Sequence, residues 1–291
     1  MKKIVILGCE NSHANSFLKF IAERPEFSDV EVLGVYSDDT KAAELLRDTF
    51  GVPVMGDYAD AVGQVDGVVI TARHGDNHYK YAKPYIESGV PMFIDKPITV
   101  SEDEALEFMR ALKAHGTQIS GGSSLKQDEG VQLLRRESEE KAHGETLGGY
   151  VRAPYQRENA YGGFFFYAQH LVEIVCEIFG RYPISVTARE NGEQIHVLFH
   201  YESYDCVGLF CNNSYVYYAA RMAKGGSNGM EIPSVKDWYY REFSEFYELL
   251  SGNVRQMDYD GFIAPVFIMN AIYRSLASGK EEPVNEGGAR V

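Results

Sequence analysis

The sequence has no run of about 18 consecutive apolar residues, so nothing in it reads as a membrane-spanning helix. It has only four cysteines, Cys9, Cys176, Cys206 and Cys211, with no C-x-x-C pair and no metal-ligand spacing. Reduced thiols in a cytoplasmic protein, and no metal, are the expectation. Basic charge is short: 28 lysines and arginines face 42 aspartates and glutamates, a net −14. Nucleic acid is disfavoured as a partner, because its binding relies on neutralising phosphates. A small-molecule substrate stays open, since a local basic pocket can sit on an acidic protein. Internal repeats and low-complexity tracts are absent. The opening stretch Met1 to Gly8 is too short for a signal-peptide core and runs into Glu10, Asn11 and His13. One more absence bears on function. The turn Gly8-Cys9-Glu10-Asn11-Ser12-His13 keeps only the first glycine of a G-x-G-x-x-G dinucleotide loop.

What is present is a strand–helix alternation. A length of 291 residues favours two domains. Ile4 to Leu7 is a continuous apolar run, as in a strand covered on both faces. Ala14 to Arg24 follows as a helix that Pro25 ends. Further strands are expected at Glu31 to Tyr36, Val52 to Met55, Val65 to Thr71, Pro91 to Ile94 and Gln118 to Ser120. Helices are expected at Thr40 to Phe50, with Thr40 as cap and Gly51 as stop, at His78 to Ser88, and from Ser101 to about Ala114. Such alternation builds a parallel, doubly wound sheet.

The second half reads differently. Gln127 to Lys141 is a charged helix, Leu147 to Ala153 a strand, and Phe165 to Phe179 an apolar helix stopped by Gly180. From Ile184 to Met222 the pattern alternates and is rich in aromatics, as in antiparallel strands. Turns are marked at Asn191-Gly192 and Asn212-Asn213. Two helices close the chain, Trp238 to Ser251 and Gly261 to Ser278, and a polar tail after Lys280 is expected to be loose. The domain boundary falls near Gly121-Gly122, giving residues 1–122 and 123–291.

Phe93-Ile94-Asp95-Lys96-Pro97 ends a buried strand at the edge where open parallel sheets bind ligands. With Gly8, the Thr71 to His78 segment, and Gly162-Gly163 followed by His170, it resembles the glucose–fructose oxidoreductase, inositol dehydrogenase and MocA family. That family usually has Glu-Lys-Pro where this chain has Asp95-Lys96-Pro97. The resemblance implies an N-terminal Rossmann domain binding NAD or NADP. It also implies a C-terminal α+β domain with an open, mostly antiparallel sheet, one face of which builds a homodimer or homotetramer. The implied activity is hydride transfer to or from a sugar, polyol or related hydroxyl compound. Two other functions share the fold: a non-catalytic ligand-binding or regulatory protein, and a lyase or glycosidase that recycles bound NAD.

The resemblance places Lys96 at the nicotinamide end of the cofactor and at the substrate hydroxyl, with Pro97 fixing the backbone, through a cis bond in many members. Asp95 orients Lys96 or touches the cofactor. His170 is the implied general acid and base, since an imidazole titrates near neutrality. The aspartate that commonly stands four residues before it is Phe166 here, leaving Tyr167 or Glu173 to support the ring. Lys96 and His170 are expected to converge on one cleft. In the glycine loop, Glu10 stands where the backbone normally approaches the pyrophosphate, and His13 replaces the third glycine; Asn11 and Ser12 remain as donors or caps. A carboxylate about 4 Å from a phosphate costs on the order of 1–4 kcal/mol. At the second strand's end, Ser37 and Asp38, with no arginine nearby, favour NAD over NADP. Thr71, Arg73, His74 and His78 line the fourth strand's edge and are candidates for cofactor contact. Lys126, following Ser123 and Ser124, and Tyr155, Gln156, Arg157 and Tyr167 are candidates for substrate contact.

Overall fold

The computed structural model describes residues 1–233 and 237–284. In chain order its first elements are β1 (Lys2–Leu7), α1 (Ser12–Glu23), β2 (Val30–Tyr36), α2 (Thr40–Phe50), β3 (Gly67–Ile70), α3 (Asp76–Ala82), β4 (Met92–Asp95), α4 (Glu102–Ala114) and β5 (Ile119–Gly122). Then come α5 (Glu129–Glu139), β6 (Thr146–Tyr155), α6 (Phe165–Phe179), β7 (Ser185–Asn191), β8 (Gln194–His200), β9 (Asp205–Asn212), β10 (Tyr217–Ala223) and β11 (Gly226–Ile232). Finally there are α7 (Asp237–Leu250), α8 (Tyr259–Ser278) and β12 (Glu282–Pro283).

Two compact units result, each discontinuous in sequence. One holds residues 1–99, 103–122 and 237–259; the other holds 100–102, 123–233 and 260–284. A single cut at residue 122 captures the switch from β5 to the second unit, but not the return of α7 to the first. The return has a packing cause. Phe243 and Phe246 of α7 have no exposed surface and join Ile4, Ile6, Phe17, Phe27, Val69 and Phe93 in one apolar cluster. Burying two phenylalanines is worth roughly 3–6 kcal/mol in transfer free energy.

The first unit is a five-stranded sheet in the order β2-β1-β3-β4-β5, with every neighbouring pair parallel. All four residues of β3, β4 and β5 are buried, which is why they read as unbroken apolar or small-residue runs. The strand order reverses between β1 and β3, so a crevice opens there at the carboxyl ends. The second unit is a seven-stranded sheet in the order β11-β10-β6-β9-β8-β7-β12. Only the β6–β9 pair is parallel; the other five are antiparallel. Cys206, Gly208 and Phe210 of β9 are buried, whereas Val207 between them is 38% exposed. Among the described residues no helix is long and apolar enough to cross a membrane.

Several expected elements differ. Val52 to Met55 is no strand: it makes one parallel bridge, Val35 to Val54, because Pro53 has no N–H to extend a ladder. Asp39, not Thr40, caps α2, accepting the Ala42 N–H. The expected helix from His78 to Ser88 is α3 followed by a 3-10 turn over Lys83–Ser88, since Pro84 removes the next helical donor. The charged helix starts at Glu129, where Asp128 accepts from Gly130 N and Val131 N. The tail is partly ordered, for Glu282 and Pro283 pair with β7; the rest of it, residues 285–291, lies outside the described residues.

Candidate functional site

The carboxyl edge of the first sheet is built around Gly8. Its φ is +73°, and a Cβ there would lie 2.4 Å from the Ala72 backbone, so only glycine fits. Thr71 seals this turn by donating its hydroxyl to Gly8 O at 3.0 Å. Helix α1 follows with no side-chain cap and no acid in its first turn. Its N-terminal amides and partial positive charge thus remain for an anion. Cys9 is buried, and desolvation pushes its thiol up to about 12, so it is inert as a nucleophile.

Glu10 does not turn out to solvent. Its carboxylate accepts the Ser37 hydroxyl at 2.7 Å and the Arg73 backbone N–H at 2.9 Å. It therefore ties together the ends of β1, β2 and β3, across the crevice at the switch point. Asp38, at the end of β2, accepts the Tyr36 hydroxyl at 2.8 Å and faces the Lys80 ammonium at 3.3 Å. The Tyr36 hydrogen bond leads the forces that hold its carboxyl below the usual range, followed by Tyr81 and Lys80 against burial. Lys80, 42 residues away along the chain, is thus a cation beside the end of β2 that sequence proximity does not show.

Lys96 follows β4, is 5% exposed, and forms a cis peptide with Pro97. Asp95 has no exposed surface. It accepts the Lys96 N–H at 2.7 Å and the Asn11 amide at 2.7 Å, and so fixes the Lys96 backbone. His13 is enclosed between two carboxylates, with Nε2 3.1 Å from Glu242 of α7 and Nδ1 3.4 Å from Asp95. Burial, the largest influence, would lower its pKa; Asp95 and then Glu242 outweigh it, and the net shift is upward. His13 is thus a buried strut between Asp95 and Glu242.

Thr71 and His78 likewise have no exposed surface. His78 Nε2 lies 2.8 Å from Ala72 O, and burial holds its pKa down, as in a neutral core histidine. These two shape the loop from behind. Arg73 and His74 are half-buried; His74 Nδ1 accepts the Asp76 N–H at 3.3 Å. Ser12 is exposed, its hydroxyl 3.1 Å from that of Tyr239.

In the second unit, His170 lies on α6 with 8% exposure. Its Nδ1 is 2.6 Å from the Ser123 hydroxyl. The ring sits 6.0 Å from Tyr217, edge to face, and 5.9 Å from Tyr167. Glu173, one turn on, accepts Ser123 N–H at 2.9 Å and lies 3.8 Å from Lys126. Its pKa is raised by burial against the opposing pull of Lys126. Lys126 also stands over the Phe262 ring at 5.8 Å. Ser123 is thus a hydrogen-bond partner of the His170 ring. Tyr155 is 1% exposed inside β6, its ring edge to face with Phe210 at 6.3 Å. Arg157 is committed to the β7–β8 hairpin through Glu190 and Gly192 O, and Gln156 donates to the Tyr215 hydroxyl at 2.8 Å.

Comparison with known proteins matches this edge. Residues 2–123 fit the Gfo/Idh/MocA model, described as an oxidoreductase family with an NAD-binding Rossmann fold. The uncharacterized oxidoreductase YhhX of Escherichia coli (strain K12) is 24% identical over 122 residues, 39% of this chain and 35% of that protein. The match thus spans about a third of that curated relative's length. Solved structures agree over nearly the whole chain. GenD2 from gentamicin A biosynthesis, in complex with NAD, has a TM-score of 0.82 at 17% identity, covering 98% of this chain and 96% of its own. Myo-inositol 2-dehydrogenase from Lactobacillus plantarum scores 0.83 at 13% identity, covering 98% and 99%. The WlbA dehydrogenase from Chromobacterium violaceum, in complex with NADH and UDP-GlcNAcA, scores 0.80 at 15%, covering 98% and 96%. At these identities the structures establish a shared fold.

Proposed function

We propose that the chain, whose residues 2–123 match the Gfo/Idh/MocA model of NAD-binding oxidoreductases, is an NAD-dependent dehydrogenase acting on a secondary hydroxyl of a sugar, polyol or related compound. The observation that carries this reading is Lys96, nearly buried at the carboxyl end of β4, its backbone set by Asp95 and by the cis bond to Pro97. The residues fit a dinucleotide in most respects. The Gly8 turn and the uncapped start of α1 suit the pyrophosphate. Asp38 suits a ribose 2′-hydroxyl, which favours NAD over NADP. Glu10 counts against the fit, since its carboxylate stands where the loop's second glycine would let the backbone approach.

Nicotinamide, when bound, supplies the hydride acceptor. The chain's own part is orientation and proton handling. Lys96 donates to the substrate oxygen and holds it while the C–H bond is aligned. His170 accepts the hydroxyl proton in oxidation and returns it in reduction. Both groups have to serve the same turnover.

Titration with NADH and NADPH, followed by nicotinamide fluorescence, tests the reading. NADH binding below millimolar, with NADPH weaker, is the expected result. Loss of turnover in Lys96→Ala on an inositol and hexose panel is expected alongside it. Absence of binding at millimolar NADH defeats the proposal. A second reading, a non-catalytic ligand-binding protein of the same fold, is favoured by the Glu10 carboxylate lying in the crevice.

We further propose a cytoplasmic homodimer or homotetramer assembled through the second sheet. Tyr150, Val207 and Leu198 align across β6, β9 and β8 in register, on the face opposite the buried Val151, Gly208 and Val197. An apolar row of this kind on an open sheet is the sort of surface a second copy covers.

A further inference from the structure

The His170 ring meets a residue 47 positions earlier in the chain. Ser123 is fully buried, and its hydroxyl oxygen lies 2.6 Å from His170 Nδ1. That is a short, strong contact for an oxygen–nitrogen pair. Ser123 is itself held from two sides. Its N–H donates to Glu173 Oε1 at 2.9 Å, and its oxygen accepts the Leu125 N–H at 3.3 Å. Glu173 is in turn held by Gln169 and by Lys126. Residues 169, 170 and 173 of α6 thus clamp the 3-10 turn that starts at Ser124.

The residue one helical turn before His170, Phe166, carries a phenyl ring and offers the imidazole no acceptor. It packs on Tyr161 and Tyr167 instead, at 5.1 and 4.8 Å. We propose that Ser123 is the positioning residue of His170, fixing the ring's orientation and directing proton exchange to Nε2. The role assigned to His170 rests on the dehydrogenase reading; the positioning itself does not.

A hydroxyl does this differently from a carboxylate. A carboxylate only accepts, so it enforces the tautomer with hydrogen on Nδ1. A hydroxyl rotates. It accepts from Nδ1–H when Nε2 holds a lone pair, and again when the ring is an imidazolium. It donates to Nδ1 when Nε2 carries the hydrogen. Proton uptake at Nε2 from a substrate hydroxyl therefore leaves the Ser123 contact intact: one O–H bond breaks on the substrate, one N–H bond forms on the ring, and no further group has to gain or lose a proton. Being neutral, Ser123 lends the imidazolium no ionic stabilisation.

The test is long-range proton–nitrogen correlation NMR on the full chain with labelled histidine, assigning His170 through H170Q. Wild type and S123T, which keeps the hydroxyl, are expected to show a hydrogen-bonded Nδ1. S123A is expected to lose that signature and to change its tautomer balance. Unchanged ring-nitrogen shifts in S123A overturn the proposal, leaving Ser123 only as a cap for Leu125. Should S123A not fold, an unbonded Nδ1 in the wild type overturns it equally. An NADH titration on the same samples separates the two readings. Failure of every sample to bind NADH defeats the dehydrogenase and spares the dyad. Binding combined with unchanged S123A spectra defeats the dyad alone.

Discussion

Replacing Glu10 by glycine should tighten dinucleotide binding while weakening the fold. The carboxylate now bridges Ser37 and the Arg73 amide, at the position where a second fingerprint glycine lets the backbone meet the pyrophosphate. A dinucleotide must either displace that bridge or lie beside its charge. Two unit charges about 4 Å apart repel by about 1 kcal/mol in water and about 4 kcal/mol at the dielectric of a protein surface. Glu10 is half-buried, so a value near 2 kcal/mol is appropriate, corresponding to roughly 30-fold in Kd.

The fold pays in the opposite direction. Two hydrogen bonds to a charged acceptor are lost, at the low end of about 1.5 kcal/mol each for a group water still reaches, and glycine adds about 0.5–1 kcal/mol of chain entropy. These values are already net of hydration, so a loss of about 3.5–4 kcal/mol is expected, a drop of roughly 6 °C in Tm for 291 residues. Isothermal titration with NADH and a thermal melt measure both. Glu10→Gln separates charge from bulk, because it keeps an acceptor for one bridge and removes the repulsion. A Kd for Glu10→Gly equal to or weaker than wild type refutes the argument, and would mean that Glu10 holds the ligand rather than blocking its seat.

Two further outcomes are expected. The His13 pKa is raised in the folded state, so the stabilisation it provides is complete below its unfolded value near 6.5 and is lost as pH rises through the folded value. Urea midpoints should therefore fall from pH 6 toward alkaline pH in wild type, and this slope should flatten in His13→Gln, which should also lose about 3–5 kcal/mol by leaving Asp95 and Glu242 facing each other. For the assembly, sedimentation should give a dimer or tetramer, and Val207→Glu in the row on the open sheet should shift it toward monomer; a wild-type monomer at micromolar concentration removes the proposal.

Much of the architecture was legible because burial on both faces leaves a plain signature. The apolar runs at β1, β3 and β4 and the helix Phe165–Phe179 could be read directly, as could the hairpin at Asn191-Gly192. Helix α7 was found as a helix, but nothing in its amphipathic pattern says which sheet its phenylalanines cover. At the site, Asp95-Lys96-Pro97 was legible because the residues are adjacent. The partners of the loop substitutions were not, since they come from far along the chain: Glu242 is 229 positions from His13, and Arg73 is 63 from Glu10. Periodicity has no means to register a side chain meeting another at that distance.

Those distant partners also bear on whether the altered loop is a site in decay. Loss of constraint scatters polar groups without supplying their complements, and an unpaired charge in a buried place costs several kcal/mol. Neither loop substitution is in that state. The imidazole at the third glycine position meets two carboxylates, one on β4 and one on α7, while the carboxylate at the second meets a hydroxyl at the end of β2 and an amide after β3. Asp95 joins the two halves of this arrangement, since it faces His13 and also accepts the Lys96 amide. Any change in the His13 charge thus reaches the backbone of Lys96 through one shared carboxylate. The loop has traded backbone closeness to a ligand for an internal ionic frame. Whatever binds at this edge therefore meets a Lys96 whose backbone amide is held by Asp95, a carboxylate that His13 already faces.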